Sequence, residues 1–104
     1  MRVFVSAVAA AVLALGSGAA FADGEAAMNK SGCMACHAKD KKLVGPSFKD
    51  IAAKYKGQDV AAKLFDKVRK GGSGVFGPIP MSPNGPDKIA DQDLKDAIAV
   101  ILKS

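Results

Sequence analysis

The sequence predicts an all-α domain. Apolar residues recur at i, i+3, i+4 and i+7 in separate stretches, glycine and proline stand between those stretches, and no segment sustains the alternation of a strand. No internal repeat interrupts this order.

The first segment reads as an export signal. Met1-Arg2 is a short basic start, and Val3 to Leu15 is an apolar run broken only by Ser6. Gly16, Ser17 and Gly18 end the run, and Ala20-Phe21-Ala22 fits a small-x-small cleavage site. The run is short for a span of about 20 residues, so cleavage after Ala22 is expected rather than stable membrane insertion. Residues 1–22 would leave, and residues 23–104, 82 in number, would remain as one domain outside the cytoplasm.

In that domain Asp23 can cap a first helix through Glu25, Ala26, Ala27 and Met28, until Gly32 frees the chain. After a lysine-rich stretch closed by Gly45-Pro46, Ser47-x-x-Asp50 reads as a capping box. Phe48, Ile51, Ala52 and Tyr55 then form one apolar face, and Gly57 ends the helix. A third helix is predicted from about Val60 to Lys70, with Val60, Ala61, Leu64, Phe65 and Val68 on one side. Lys67, Arg69 and Lys70 suit the dipole of its last turn. Residues 72–87 hold four glycines and four prolines and read as a stiff extended loop. Val75, Phe76, Ile79 and Met81 in that loop are apolar and need cover. A fourth helix is predicted from about Gln92 to Lys103, its buried stripe being Leu94, Ala97, Ile98, Ile101 and Leu102.

The chemistry concentrates at Cys33-Met34-Ala35-Cys36-His37, which uses both cysteines and the one histidine of the chain. Two cysteines at this spacing, followed directly by histidine, form the attachment motif of a c-type haem: two thioethers to the vinyls and an imidazole to the iron. A zinc site would lack a fourth ligand, and a thioredoxin-like pair would need a preceding strand. A disulfide hairpin is the remaining alternative. One covalent haem would also give so small a domain the apolar centre it otherwise lacks, and without it the chain should be largely unfolded.

The iron's other face needs a ligand if the site is to be closed. Met34 lies between the cysteines, and Met28 falls in the first helix as core. Met81 stands in the stiff loop, 44 positions beyond His37, and is the candidate for the second axial position. An open site for gas or peroxide would want a distal acid or base, and no second histidine exists.

Charge limits the partners. The full chain carries +5; loss of Arg2 with the leader leaves 14 basic against 10 acidic residues, or +4. Lysines cluster in the first two thirds of the mature chain, from Lys30 to Lys70. Most are solvated surface, and together they would steer an acidic redox partner. Basic residues are not interleaved with aromatics, and export argues against nucleic acid.

The attachment motif, then Val44-Gly45-Pro46, then Gly77-Pro78-Ile79-Pro80-Met81-x-Pro83-Asn84, resembles the short bacterial class I cytochromes c of the c-551 type over essentially all of residues 23–104. The resemblance implies four or so short helices around one haem, with the first and last crossing. It implies a monomeric electron carrier, not an enzyme, serving a periplasmic reductase, peroxidase or oxidase. It implies that the Pro46 carbonyl accepts the His37 ring N–H, that Asn84 donates to the Met81 sulfur, and that Lys67 or Arg69 approaches a propionate. Phe76 stands where the family often has a tryptophan, so no indole N–H reaches a propionate there.

Overall fold

In the computed structural model, which describes residues 18–104, the chain forms α1 (Gly18–Lys30), a 3₁₀ turn (Cys33–Ala35), α2 (Phe48–Lys54), α3 (Ala61–Lys70), β1 (Gly72–Gly74), β2 (Gly77–Met81) and α4 (Asp91–Leu102). The basic start and the whole apolar run of the expected signal, Val3 to Leu15, lie outside the described residues. The bond between Ala22 and Asp23 falls inside α1. That helix begins five residues before the expected cap, because Ala19, Ala20 and Ala22 continue it without strain.

α1 packs most extensively against α4. The crossing is close because Gly24 has no side chain: a Cβ there would sit 2.6 Å from the Asp96 carbonyl oxygen and 2.9 Å from Val100 Cγ2. Around this crossing lies the core of Ala27, Met28, Phe48, Ile89, Leu94, Ala97 and Ile98. Burial of a side chain such as Leu94, 2% exposed, stabilises by about 1.5–3 kcal/mol. The expected stripe of α4 is therefore inside, Ile101 and Leu102 being half-buried at its end.

α2 starts as its sequence dictates. Ser47 is extended, and its Oγ accepts the Asp50 N–H at 3.0 Å. Phe48, Ala52 and Tyr55 are buried and Ile51 is half-buried. The stripe of α3 is only partly covered: Leu64, Phe65 and Val68 are half-buried and Ala61 is exposed.

One expectation needs correction. The segment after α3 is not wholly an extended loop, since β1 and β2 pair as an antiparallel hairpin with an irregular register, Gly72 opposite Met81 and Gly74 opposite Gly77. Val75 and Phe76 make the turn. Gly72, Gly74 and Gly77 hold φ near +111° to +116°, a backbone only glycine adopts readily. Pro78 and Pro80 lie between the paired Gly77 and Met81, in a two-stranded ribbon whose strands are both edges, where proline is tolerated. The fold is mainly helical, with this ribbon carrying Met81.

Candidate functional site

The ligand candidates fall in two clusters, one built around His37 and one around Met81. In the first, the Cys33 carbonyl accepts the N–H of Cys36 at 3.2 Å and of His37 at 3.0 Å, which turns the attachment motif through one tight 3₁₀ turn. Cys33 is half-buried, Cys36 is exposed, and the two are not joined to each other. Burial pushes the Cys33 thiol above its ordinary value; its own backbone hydrogen bond opposes this, and the neighbouring Cys36 thiol adds to it.

The imidazole of His37 is held from three sides. Its Nδ1 donates to the Pro46 carbonyl at 2.7 Å. Since a carbonyl only accepts, Nδ1 carries the proton and Nε2 keeps its lone pair for a metal. The Phe48 ring stacks beside it, centroids 5.6 Å apart and planes at 23°. On another side the Gly45 backbone is so near that a Cβ would lie 2.6 Å from His37 Cε1 and 3.0 Å from Nδ1.

The segment between motif and α2 folds back to make this contact. Gly45 N–H donates to the Cys36 carbonyl at 2.8 Å, and Phe48 N–H to the Ala38 carbonyl at 3.0 Å. A bridge between His37 and Lys42 closes the turn. In sequence Gly45-Pro46 closes a lysine-rich stretch and belongs to the Val44-Gly45-Pro46 motif, but the direct contact of glycine with imidazole has no local signal.

In the second cluster Met81 ends β2, half-buried, opposite Gly72. The Asn84 N–H donates to the Val68 carbonyl at 2.9 Å. The Asn84 side-chain amide donates to the Ser82 carbonyl at 2.9 Å, which leaves its second N–H for another acceptor. Arg69 has protein partners of its own. Its guanidinium binds the carbonyls of Asn84 and Ile89 and the Asp91 carboxylate. Lys67 Nζ lies over Gly72.

These residues fit a haem. The donor set is two unpaired thiols and one imidazole with a free Nε2. Met34, Leu43, Val44, Val75, Phe76 and Ile79 are large apolar side chains that stay exposed, Ile79 by 58%. They come from the attachment motif, the loop after it and the hairpin, the same segments that bear the ligand candidates. A large flat apolar group is the natural cover for them.

Comparison with known proteins agrees with this chemistry. The family model for cytochrome c matches residues 21–104. Cytochrome c-551 of Pseudomonas aeruginosa is 51% identical over 71 residues, which is 67% of this chain and 68% of that protein. Cytochrome c-552 of Nitrosomonas europaea is 48% identical over 87 residues, covering 83% of this chain and 82% of the other. The crystal structure of wild-type Nitrosomonas europaea cytochrome c552 superposes with a TM-score of 0.69 at 44% identity, over 76% of this chain and 96% of that one.

Proposed function

The chain belongs to the cytochrome c family, whose members carry electrons on covalently bound haem c, and from that premise we propose that it is a periplasmic one-electron shuttle with His37 and Met81 as axial ligands. Cys33 and Cys36 would hold the haem by thioethers. The haem supplies an iron that gains and loses a single electron. The chain's own residues keep the ligand set still while that happens.

His37 cannot rotate without losing its 2.7 Å bond to Pro46 or colliding with Gly45. Met81 is carried on a ribbon stiffened by Pro78 and Pro80. Small movement at both ligands means a small reorganisation barrier. A thioether ligand favours the ferrous state and raises the potential, and Asn84 would tune that sulfur. The apolar side chains around the site keep water from it and push the same way.

Lys39, Lys41, Lys42, Lys49, Lys54 and Lys56 are all exposed and supply the positive rim expected to meet an acidic redox partner, such as a reductase, a peroxidase or an oxidase. No helix among the described residues is long and apolar enough to cross a membrane. Cleavage after Ala22 would shorten α1 to Asp23–Lys30 yet keep Gly24, Ala27 and Met28, the residues that meet α4 and the core. Asp23 would then stand at the positive end of the helix dipole.

The fixed tautomer of His37 next to two unpaired cysteines carries this reading. Voltammetry of the purified holoprotein tests it. One reversible one-electron wave is expected, with ferrous protein that excludes carbon monoxide at neutral pH. Carbon monoxide binding together with peroxide turnover would replace the shuttle with an open-site haem enzyme.

A further inference from the structure

We infer that Arg69 is a positioning residue for the axial methionine: its guanidinium, fixed at the end of α3, clamps the backbone just beyond Met81 and so keeps the sulfur seated. This rests on Met81 being the second ligand. Arg69 Nη1 donates to the Asn84 carbonyl at 3.2 Å and the Ile89 carbonyl at 2.7 Å, while Nη2 pairs with Asp91 Oδ1 at 2.6 Å. The side chain is only 13% exposed, and the guanidinium lies 5.0 Å above the Phe65 ring. One planar fork thus satisfies three acceptors on two stretches of chain, which a lysine ammonium does not match in geometry.

The same stretch is held from α3 at two further points. The Val68 carbonyl accepts the Asn84 N–H at 2.9 Å. Gly71 is packed so tightly on the backbone of Met81, Ser82 and Pro83 that a methyl group there would collide with it. Only Ser82 and Pro83 separate Met81 from Asn84, so a lift of the chain at Asn84 is passed to the sulfur.

Without Arg69, two part-buried carbonyls lose their donor. They recover hydrogen bonds by turning to water, which requires the segment to rise from α3. The ion pair with Asp91 matters less, because the Asp91 side chain is 69% exposed and water competes for it.

Carbon monoxide binding to the ferrous holoprotein reads how often the sulfur leaves, and the far-red sulfur-to-iron band of the ferric form reads whether it is bound. In Arg69→Ala, carbon monoxide binding should accelerate by about 10- to 100-fold, the factor expected from losing hydrogen bonds to a charged group. Arg69→Lys should recover part of that, and Asp91→Asn should change it much less. Ile98→Val removes core packing on α4 and should lower global stability without opening the iron.

Added to Met81→Ala, the Arg69 change should have no further effect, since the site is already open. If Arg69→Ala excludes carbon monoxide as well as the parent does, or Ile98→Val opens the site equally, Arg69 is only a structural tie and the inference falls. Should Arg69→Ala fail to accumulate with haem, Arg69→Gln, which keeps a neutral amide donor group but no charge, takes its place under the same two criteria. If Met81→Ala itself leaves carbon monoxide excluded, the ligand assignment fails instead, an outcome distinct from a silent Arg69 beside a responsive Met81.

Discussion

Adding one methyl group at Gly45 should disturb His37, the proposed iron ligand, more than any change of equal size elsewhere in the loops. A Cβ at this position would stand 2.6 Å from His37 Cε1, 3.0 Å from Nδ1 and 3.1 Å from Nε2. Carbon atoms rest about 3.5–4.0 Å apart, so ring or loop must shift by about 1 Å. Such overpacking costs about 1–3 kcal/mol, and stretching the bond from Nδ1 to Pro46 adds about 0.5–1.5 kcal/mol. Gly45→Ala should therefore destabilise the holoprotein by about 2–4 kcal/mol, a large part of the about 5–15 kcal/mol typical of a small domain.

Gly57→Ala is the matched control. Gly57 has φ +76° and nothing within 4 Å of its Cβ direction, so alanine there costs only backbone strain, about 1–2 kcal/mol. Urea unfolding of both holoproteins, followed by haem absorbance and circular dichroism, gives the two losses. Voltammetry gives the second readout, since only the Gly45 change should move the potential. Equal or smaller destabilisation at Gly45, with an unchanged potential, would mean the imidazole is not held against the Gly45 backbone.

Protein taken from its native host should begin at Asp23 and carry one haem that survives acid extraction; intact mass spectrometry decides this, and a mass retaining residues 1–22 would refute the export reading. Electron transfer to an acidic partner should slow as salt rises, because a Debye length of about 8 Å at physiological ionic strength screens the lysine rim. Stopped-flow rates that stay flat or rise across a salt series would instead make docking apolar, through side chains such as Val44 and Ile79.

What the sequence discloses here depends on how local each feature is. The attachment motif is legible because the haem's two vinyls and its iron demand contiguous residues. α2 is legible because Ser47, Asp50 and the Phe48–Tyr55 face lie within a few positions of one another. The hairpin is not, because Gly72-Ser73-Gly74 has no side-chain alternation and forms its strand through glycine φ values. Its turn is made by Val75 and Phe76, which are strand formers rather than turn formers, so the usual hairpin signal is missing.

The contact of Gly45 with imidazole and the partners of Arg69 arise from chain returning on itself, 15 and 20 residues away in the case of Asn84 and Ile89. Arg69 reads in sequence as a charge suited to the end of a helix. Only its carbonyl partners reveal that it fastens the segment after Met81. The crossing of α1 and α4 at Gly24 is likewise a matter of tertiary approach, and nothing around Gly24 in the sequence announces it.

The axial assignment is tested most directly by replacing Met81 and Met28 separately with alanine and recording the ferric far-red band and ferrous carbon monoxide binding of each holoprotein. Met28 is a core residue, 3% exposed, so its loss should cost about 2–5 kcal/mol of stability and leave both signals as in the parent. Met81→Ala should abolish the band, admit carbon monoxide and lower the potential. If the band survives Met81→Ala and disappears with Met28→Ala, the iron's second ligand is not on the hairpin and the account of the site is wrong.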